Sequence, residues 1–373
     1  MNADARPIRV PAIDWMRGIV LIVMVTDHAS AALNPNRLVT DTVFIYNPEI
    51  PLPPVDFYYR WISHICAPVF LFLAGTALAL SITKRRANGA SEWSIDRDLL
   101  VRGGVLILMD LTFISWFWGG GSILFQVLYA IGASMIAMTL LRRLPVLVAL
   151  VLGIAMIAVT EPLLRPPTGS IWSALNSLFF AGGPAAGSIL VAYPVGAWLG
   201  MMLIGWWFGQ HLLSLNGQFE SLPLRLLAAG FVLLGLFALV RGVNAWGNLG
   251  LLRYDDSLIQ WLHFSKYPPS ISFITMELGL MCLLLAGAFA IQNRSPAYRR
   301  TNPLLVFGQT SLFFYVVHIL MLELGARATG MHLNSTLAVT ATVAVLILPV
   351  LYPLCIWFRK TKQRYPTSPL KYI

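Results

Sequence analysis

Residues 12–33 read AIDWMRGIVLIVMVTDHASAAL. A helix needs about 20 apolar residues to cross the hydrocarbon of a bilayer, and this run is long enough despite its four ionisable side chains. Each such side chain at mid-bilayer costs about 2.5–3.5 kcal/mol on insertion scales, so each needs a partner, a water-filled cavity or a function. Asp14, Arg17, Leu21, Met24 and His28 step by 3, 4, 3 and 4 residues, which places them on one helix face. At about 100° per residue Arg17 and His28 nearly eclipse, and at 1.5 Å rise they lie about 16.5 Å apart along the axis. Asp27 points to a different face. The pattern is an Asp14–Arg17 pair at one end and an imidazole at the other, joined by an apolar stripe. Asp14 and Arg17 neutralise each other as an i,i+3 pair, anchor a phosphorylated ligand through the guanidinium, or do both.

The same ruler, carried outward, marks spans near 12–33, 60–83, 100–118, 122–141, 145–163, 190–213, 223–245, 270–292, 303–326 and 334–358. The chain is therefore read as all-α, a polytopic membrane helix bundle of about ten transmembrane helices forming a single domain over residues 1–373. Composition agrees: 57% of residues are apolar and 11% charged, against roughly a quarter charged in soluble domains, and the mean hydropathy is +0.72. With the N-terminus inside, 19 Lys and Arg fall on the side of the termini and seven on the other, which orients the bundle N-in/C-in. That distribution also explains the net charge of +10 without nucleic acid. The expected location is the bacterial inner membrane, multi-pass, with the first apolar run retained rather than cleaved. Cys66, Cys282 and Cys355 lie inside apolar runs without metal-ligand spacing, so neither a metal nor a disulfide framework is expected. The long outer connections, 34–59, 164–189 and 246–269, carry Pro, Asn and Asp and are where a site is often built.

Other ionisable residues inside spans are His64, Arg102, Asp110, Glu277, His318 and Glu323. His28 ends the first span and His64 opens the second, so both imidazoles are candidates for general-base or nucleophilic work at one depth. Asp27 or Asp56 is a candidate to orient one of them. Ser311, Tyr315 and His318 share a face of the ninth span. They either knit helices together by hydrogen bonds or line a substrate site. No Walker motif, HExxH or GxSxG occurs.

Several stretches also resemble a known family. Ile13-Asp14-Trp15-Met16-Arg17-Gly18, followed by Met24 and Asp27-His28, is similar to the opening of bacterial membrane proteins related to heparan-alpha-glucosaminide N-acetyltransferase. So are Arg60 to Phe70 running on to Gly75, Gln126 to Gly132, Tyr193-Pro194 to Trp198-Leu199-Gly200, Lys266-Tyr267-Pro268-Pro269-Ser270, and Phe307-Gly308 to Phe313-Phe314-Tyr315-Val316-Val317-His318. The resemblance runs in order along nearly the whole chain. It implies a transmembrane acyltransferase that takes acetyl from cytoplasmic acetyl-CoA and delivers it to a sugar across the membrane. It also implies an active Asn on the first core helix and a His in the following loop. Anchored on Met24-Val25, His28 stands where that Asn would lie. Anchored on Pro68, the loop His would fall near Pro54 to Asp56, where this chain has none. The roles of His28 and His64 thus rest on depth and chemistry.

The expected mechanism places acyl-CoA phosphates near Asp14, Arg17 and Arg102, with His28, His64 and Asp27 as the catalytic set. Lys266, Tyr267, Ser311, Tyr315 and His318 then face a carbohydrate acceptor, an amine or a hydroxyl, and donors among them stabilise the oxyanion. The alternative is a proton-coupled secondary transporter of a small solute, against which stand the missing repeat symmetry and the lack of paired broken helices. A third reading is an assembly factor without chemistry. Gly103-Gly104 would permit close packing within the chain or between the protomers of a homodimer.

Overall fold

A computed structural model of the chain describes residues 10–42, 44–164, 170–294 and 299–372. The helices in chain order are α1 (Pro11–Leu33), α2 (Pro54–Trp61), α3 (Cys66–Ala87), α4 (Glu92–Met109), α5 (Ser115–Trp118), α6 (Val127–Leu141), α7 (Val146–Ala158), α8 (Ile171–Asn176), α9 (Val195–Ser214), α10 (Leu222–Val243), α11 (Leu258–Leu262), α12 (Ile271–Arg294), α13 (Pro303–Gln309), α14 (Ser311–Ala328) and α15 (Leu337–Arg364). Among the described residues, seven helical segments are long and apolar enough to cross a membrane: Pro11–Leu33, Pro54–Ala87, Glu92–Trp118, Leu222–Val243, Ile271–Arg294, Ser311–Ala328 and Leu337–Arg364. The chain is thus an all-α, multi-pass membrane bundle. Three of the ten expected spans correspond to helices outside that set. Two of these, α6 with 15 residues and α7 with 13, are short; the third is α9, the one most enclosed by its neighbours.

Two local irregularities follow from sequence and shape the interior. Pro68 has no N–H to give the carbonyl four residues back, that of His64. The chain tightens there into a 3₁₀ turn, Ile62–Ile65, between α2 and α3, and His64 is buried at 3% exposure. Between α4 and α5 the helix widens into a π turn, Asp110–Ile114. The start of α6 has no side-chain cap of its own. Asp110 supplies one from across the bundle, its Oδ2 accepting from the backbone N–H of Gln126 at 2.8 Å and of Tyr129 at 2.6 Å. Orphan donors at a helix start need such a partner. The intramembrane Asp110 therefore caps a helix.

The helices cross on glycines. A Cβ at Gly75 would lie 1.9 Å from the Met202 carbonyl oxygen, and one at Gly205 1.9 Å from that of Phe72, so α3 and α9 touch backbone to backbone. Gly18 and Gly308 do the same for α1 and α13. A Cβ at Gly103 would lie 2.6 Å from the Gly132 carbonyl oxygen across the α4–α6 crossing, whereas one at Gly104 would meet nothing within 4 Å among the described residues. Of the two readings of the Gly103-Gly104 face, Gly103 therefore packs within the chain. A small sheet, absent from the sequence reading, joins the connections. Strand β1 (Ile123–Phe125) pairs in parallel with β3 (Ile189–Val191), and β2 (Gly183–Pro184) pairs antiparallel with β3. It draws Leu124, Gln126 and Tyr193 to one interior wall.

Candidate functional site

An internal cavity of about 820 Å³ runs along α1. Asp14, Arg17, Met24, Asp27 and His28 all line it, so the stripe legible in residues 12–33 is the cavity's spine. Asp27, expected on another face, reaches the cavity too. It is drawn there by Arg60 and by Arg37, whose Nη2 donates to its Oδ1 at 3.2 Å.

One end of the cavity is basic. Arg17, Arg102 and Lys362 line it together, close enough to act on one another electrostatically. Arg17 donates to Asp14 at 3.4 Å and to the Leu73 carbonyl at 3.0 Å. Asp14 also accepts from Gln309 at 3.1 Å. The Asp14–Arg17 pair thus forms as expected, with Arg102 and Lys362 on the same end of the cavity. Arg102 has no hydrogen-bond or ion-pair partner among the described residues.

The walls between the ends are mostly apolar and small. Phe70, Ala74, Ala77, Leu78 and Ser81 present one face of α3, opposite Leu106 of α4 and Leu128 and Ile131 of α6. A thin, flexible, largely apolar chain fits such a passage better than a bulky polar one.

The other end centres on His28. His318 Nδ1 is 2.7 Å from the Phe314 carbonyl oxygen, which accepts its proton. In the neutral ring His318 Nε2 is then a bare acceptor. His28 Nδ1 lies 2.7 Å from it and must donate. His28 Nε2 is left unprotonated, without a hydrogen-bond partner among the described residues, on the cavity wall. The rings stack at 4.9 Å and 7°. Trp118 closes the other side of His28 at 5.0 Å and is itself held by Glu323, to which its Nε1 donates at 2.7 Å. Tyr315 lies 5.7 Å from His28, edge-on, and its buried hydroxyl has no hydrogen-bond partner among the described residues. Ser311, on the same helix face, spends its hydroxyl on the Gly308 carbonyl at 2.8 Å.

His64 belongs to a second network and does not line the cavity. Its Nε2 is 3.2 Å from Asp41 Oδ2, which also accepts from Arg60 Nη2 at 2.7 Å. Arg60, 6% exposed, links Asp41, Asp27 and the Tyr267 hydroxyl, the last at 3.2 Å. Burial alone would push the Asp41 carboxyl up, but Arg60 and the His64 hydrogen bond outweigh it and hold the group well below the usual carboxylate range. Asp27 and Asp56, the expected orienting carboxylates, are engaged elsewhere: Asp27 with arginines and Asp56 with Asn34 at 3.4 Å. His28 is oriented by His318, and His64 by Asp41.

Lys266 and Tyr267 line the cavity beside Tyr193. The sequence reading missed Asp41, Arg60, Trp118 and Lys362. Arg60 stands at the first position of the second span, where a charge reaches the interface unaided, and Asp41 lies in a Pro- and Asn-rich connection without helical spacing to betray it. Glu277, buried at 1%, is not on the cavity wall.

A bundle of apolar helices enclosing a cavity with a basic end and a histidine end defines the class: a multi-pass membrane protein with an internal site. The family is given by comparison. Residues 9–241 match the model of the catalytic domain of heparan-alpha-glucosaminide N-acetyltransferase, and the chain belongs to that membrane acyltransferase-like family. No curated protein sequence matches the chain. The matched region holds α1, α3 and both histidines His28 and His64, while Lys266, Tyr315 and His318 lie beyond it.

Proposed function

We propose that the protein is an acyl-CoA-dependent acyltransferase that carries an acetyl or short acyl group across the bacterial inner membrane to a sugar acceptor on the periplasmic side. The observation that carries this reading is the open Nε2 of His28, about 16.5 Å along α1 from a cluster of three cations on the same cavity. The basic end takes the CoA phosphates, with Arg17 and Arg102 as the principal contacts and Lys362 beside them. The pantetheine arm occupies the apolar passage along α3, which brings the thioester to His28. The N-in/C-in orientation places the basic end on the cytoplasmic side, and the ten-helix count follows if α6, α7 and α9 complete the crossing set.

Transfer is direct. His28 Nε2 takes the proton of the acceptor hydroxyl or amine as that oxygen or nitrogen attacks the thioester carbonyl carbon. The Tyr315 hydroxyl donates to the oxyanion of the tetrahedral intermediate. Collapse breaks the carbon–sulfur bond, and the departing thiolate receives the proton from His28. His318 fixes the tautomer that makes this possible. His64 and Asp41 hold Arg60, and through it Asp27 and Tyr267, as the acceptor-side wall.

The test is transfer of labelled acetyl from acetyl-CoA to a sugar panel in proteoliposomes. The wild type transfers label; His28→Ala loses transfer while keeping CoA-induced thermal stabilisation. Label transfer at the wild-type rate by His28→Ala would remove His28 from the mechanism. Solute uptake without transfer would favour the transporter.

A further inference from the structure

Lys266 is a buried cation with no use in the steps above. It is 3% exposed and lines the cavity. Its backbone is fixed: the N–H donates to the Asp41 carbonyl at 2.8 Å, and the residue bridges to Pro269. The side chain is therefore aimed, not free to wander. Its Nζ lies 5.3 Å over the Tyr267 ring, and among the described residues it has neither a hydrogen bond nor an ion pair.

The neighbouring carboxylates do not answer it. Asp41 Oδ2 is shared by Arg60 and His64. Asp27 Oδ1 is shared by Arg60 and Arg37. Glu323, on the same cavity, holds Trp118, Arg327 at 3.3 Å and His332 at 3.5 Å. Arg60 and Arg37 thus take up Asp27 and Asp41, and Glu277, whose carboxylate feels the charge of Lys266, makes no ion pair with it; the Lys266 ammonium is left without a hydrogen-bonded counter-ion among the described residues. A buried, unpaired ammonium is costly in a low-dielectric interior. An anion arriving with a ligand would remove that cost.

We propose that Lys266 is the counter-charge for an anionic group, a carboxylate or a phosphate, carried by the acceptor sugar. Tyr193 and Tyr267, with ring centroids 5.2 Å apart, form the adjoining aromatic wall for the apolar face of the ring. Asp27 Oδ2, which makes no hydrogen bond among the described residues, accepts from an acceptor hydroxyl. The site thus selects an acidic sugar over its neutral counterpart. This inference rests on the acyltransferase reading, and the two fail differently: loss of CoA-induced stabilisation sinks that reading, and loss of anion preference sinks this one.

The experiment is thermal stabilisation of the full-length, detergent-purified protein, first saturated with CoA so that its basic end is occupied. Glucuronic acid is compared with glucose, and glucosamine 6-phosphate with glucosamine. At least one anionic sugar raises the melting temperature where its neutral counterpart does not; which of the two does so separates carboxylate from phosphate. Lys266→Gln weakens that ligand about tenfold or more, and Lys266→Arg retains the preference. Equal responses to anionic and neutral sugars in the wild type overturn the proposal, and this comparison decides even if Lys266→Gln does not fold. A wild-type response in Lys266→Gln overturns it equally.

Discussion

Replacing His318 by Phe isolates the feature on which the chemistry depends. The ring volume and the stack on His28 are nearly kept, but Nε2, the acceptor of the His28 Nδ1 proton at 2.7 Å, is lost. The His28 ring is then free to place its proton on either nitrogen and to rotate. General-base assistance is worth about 10²–10⁴ in rate. A base held in the right tautomer only part of the time forfeits much of this, and we expect kcat to fall about 10²-fold, which is about 2.7 kcal/mol of transition-state stabilisation. The fold should suffer little, since one buried hydrogen bond contributes about 1 kcal/mol net. The KM for acetyl-CoA should change less than about threefold, because the basic end lies about 16.5 Å away along α1. His318→Gln, whose amide oxygen can accept the same proton, should recover about tenfold of the lost rate. The assay is steady-state transfer of labelled acetyl, with CoA affinity measured separately. A His318→Phe enzyme with wild-type kcat would refute the tautomer argument, because His28 would then need no partner to work.

Three further outcomes follow from the packing and the outer network. Gly75→Ala should cost the fold heavily, since the new Cβ would lie 1.9 Å from the Met202 carbonyl oxygen, while Gly104→Ala, with nothing within 4 Å, should be silent or raise the melting temperature through helix propensity of up to about 1 kcal/mol; comparable melting temperatures would contradict the crossing. Asp110→Ala should destabilise by about 0.5–2 kcal/mol through loss of the α6 cap, read as a lower melting temperature with CoA binding intact; an unchanged melting temperature would deny the cap. Asp41 has a depressed folded pKa, so its contribution is fully present above the unfolded carboxylate value of 3.8 and is lost as pH falls through the lower folded value. The wild type should therefore keep this contribution down to about pH 4, and Asp41→Asn should lower stability throughout the range above it; equal stability of the two at neutral pH would show that the Arg60–Asp41–His64 network adds nothing.

The sequence made the spine of the site legible because α1 is regular. A 3.6-residue period and a fixed rise place Arg17 and His28 on one wall without knowledge of any other helix. The depth of His28 is equally readable, and the spacing of Ser311, Tyr315 and His318 puts them on one face. Their partners were not, since the His28–His318 contact spans 290 residues and no local pattern encodes it. Asp41 hides in an irregular connection, and Arg60 resembled an interfacial charge until the helix leading into α3 enclosed it. His28 and His64, both candidates for work at one depth, do not share a site, because the 3₁₀ turn before Pro68 and the bond to Asp41 commit His64 to another network. Helices α6 and α7, at 15 and 13 residues, are shorter than the spans that apolarity alone marks. The three-residue strands β1 and β3 carry too few residues for alternation to show.

Acyl transfer by this protein requires a CoA site at the basic end of the cavity. Its most direct test is the melting temperature of the detergent-purified protein with and without acetyl-CoA and free CoA. The melting temperature should rise clearly with both ligands, and the rise should be lost in Arg17→Ala and reduced in Arg102→Gln; no rise at millimolar ligand, or the same rise in Arg17→Ala, would contradict a CoA site there.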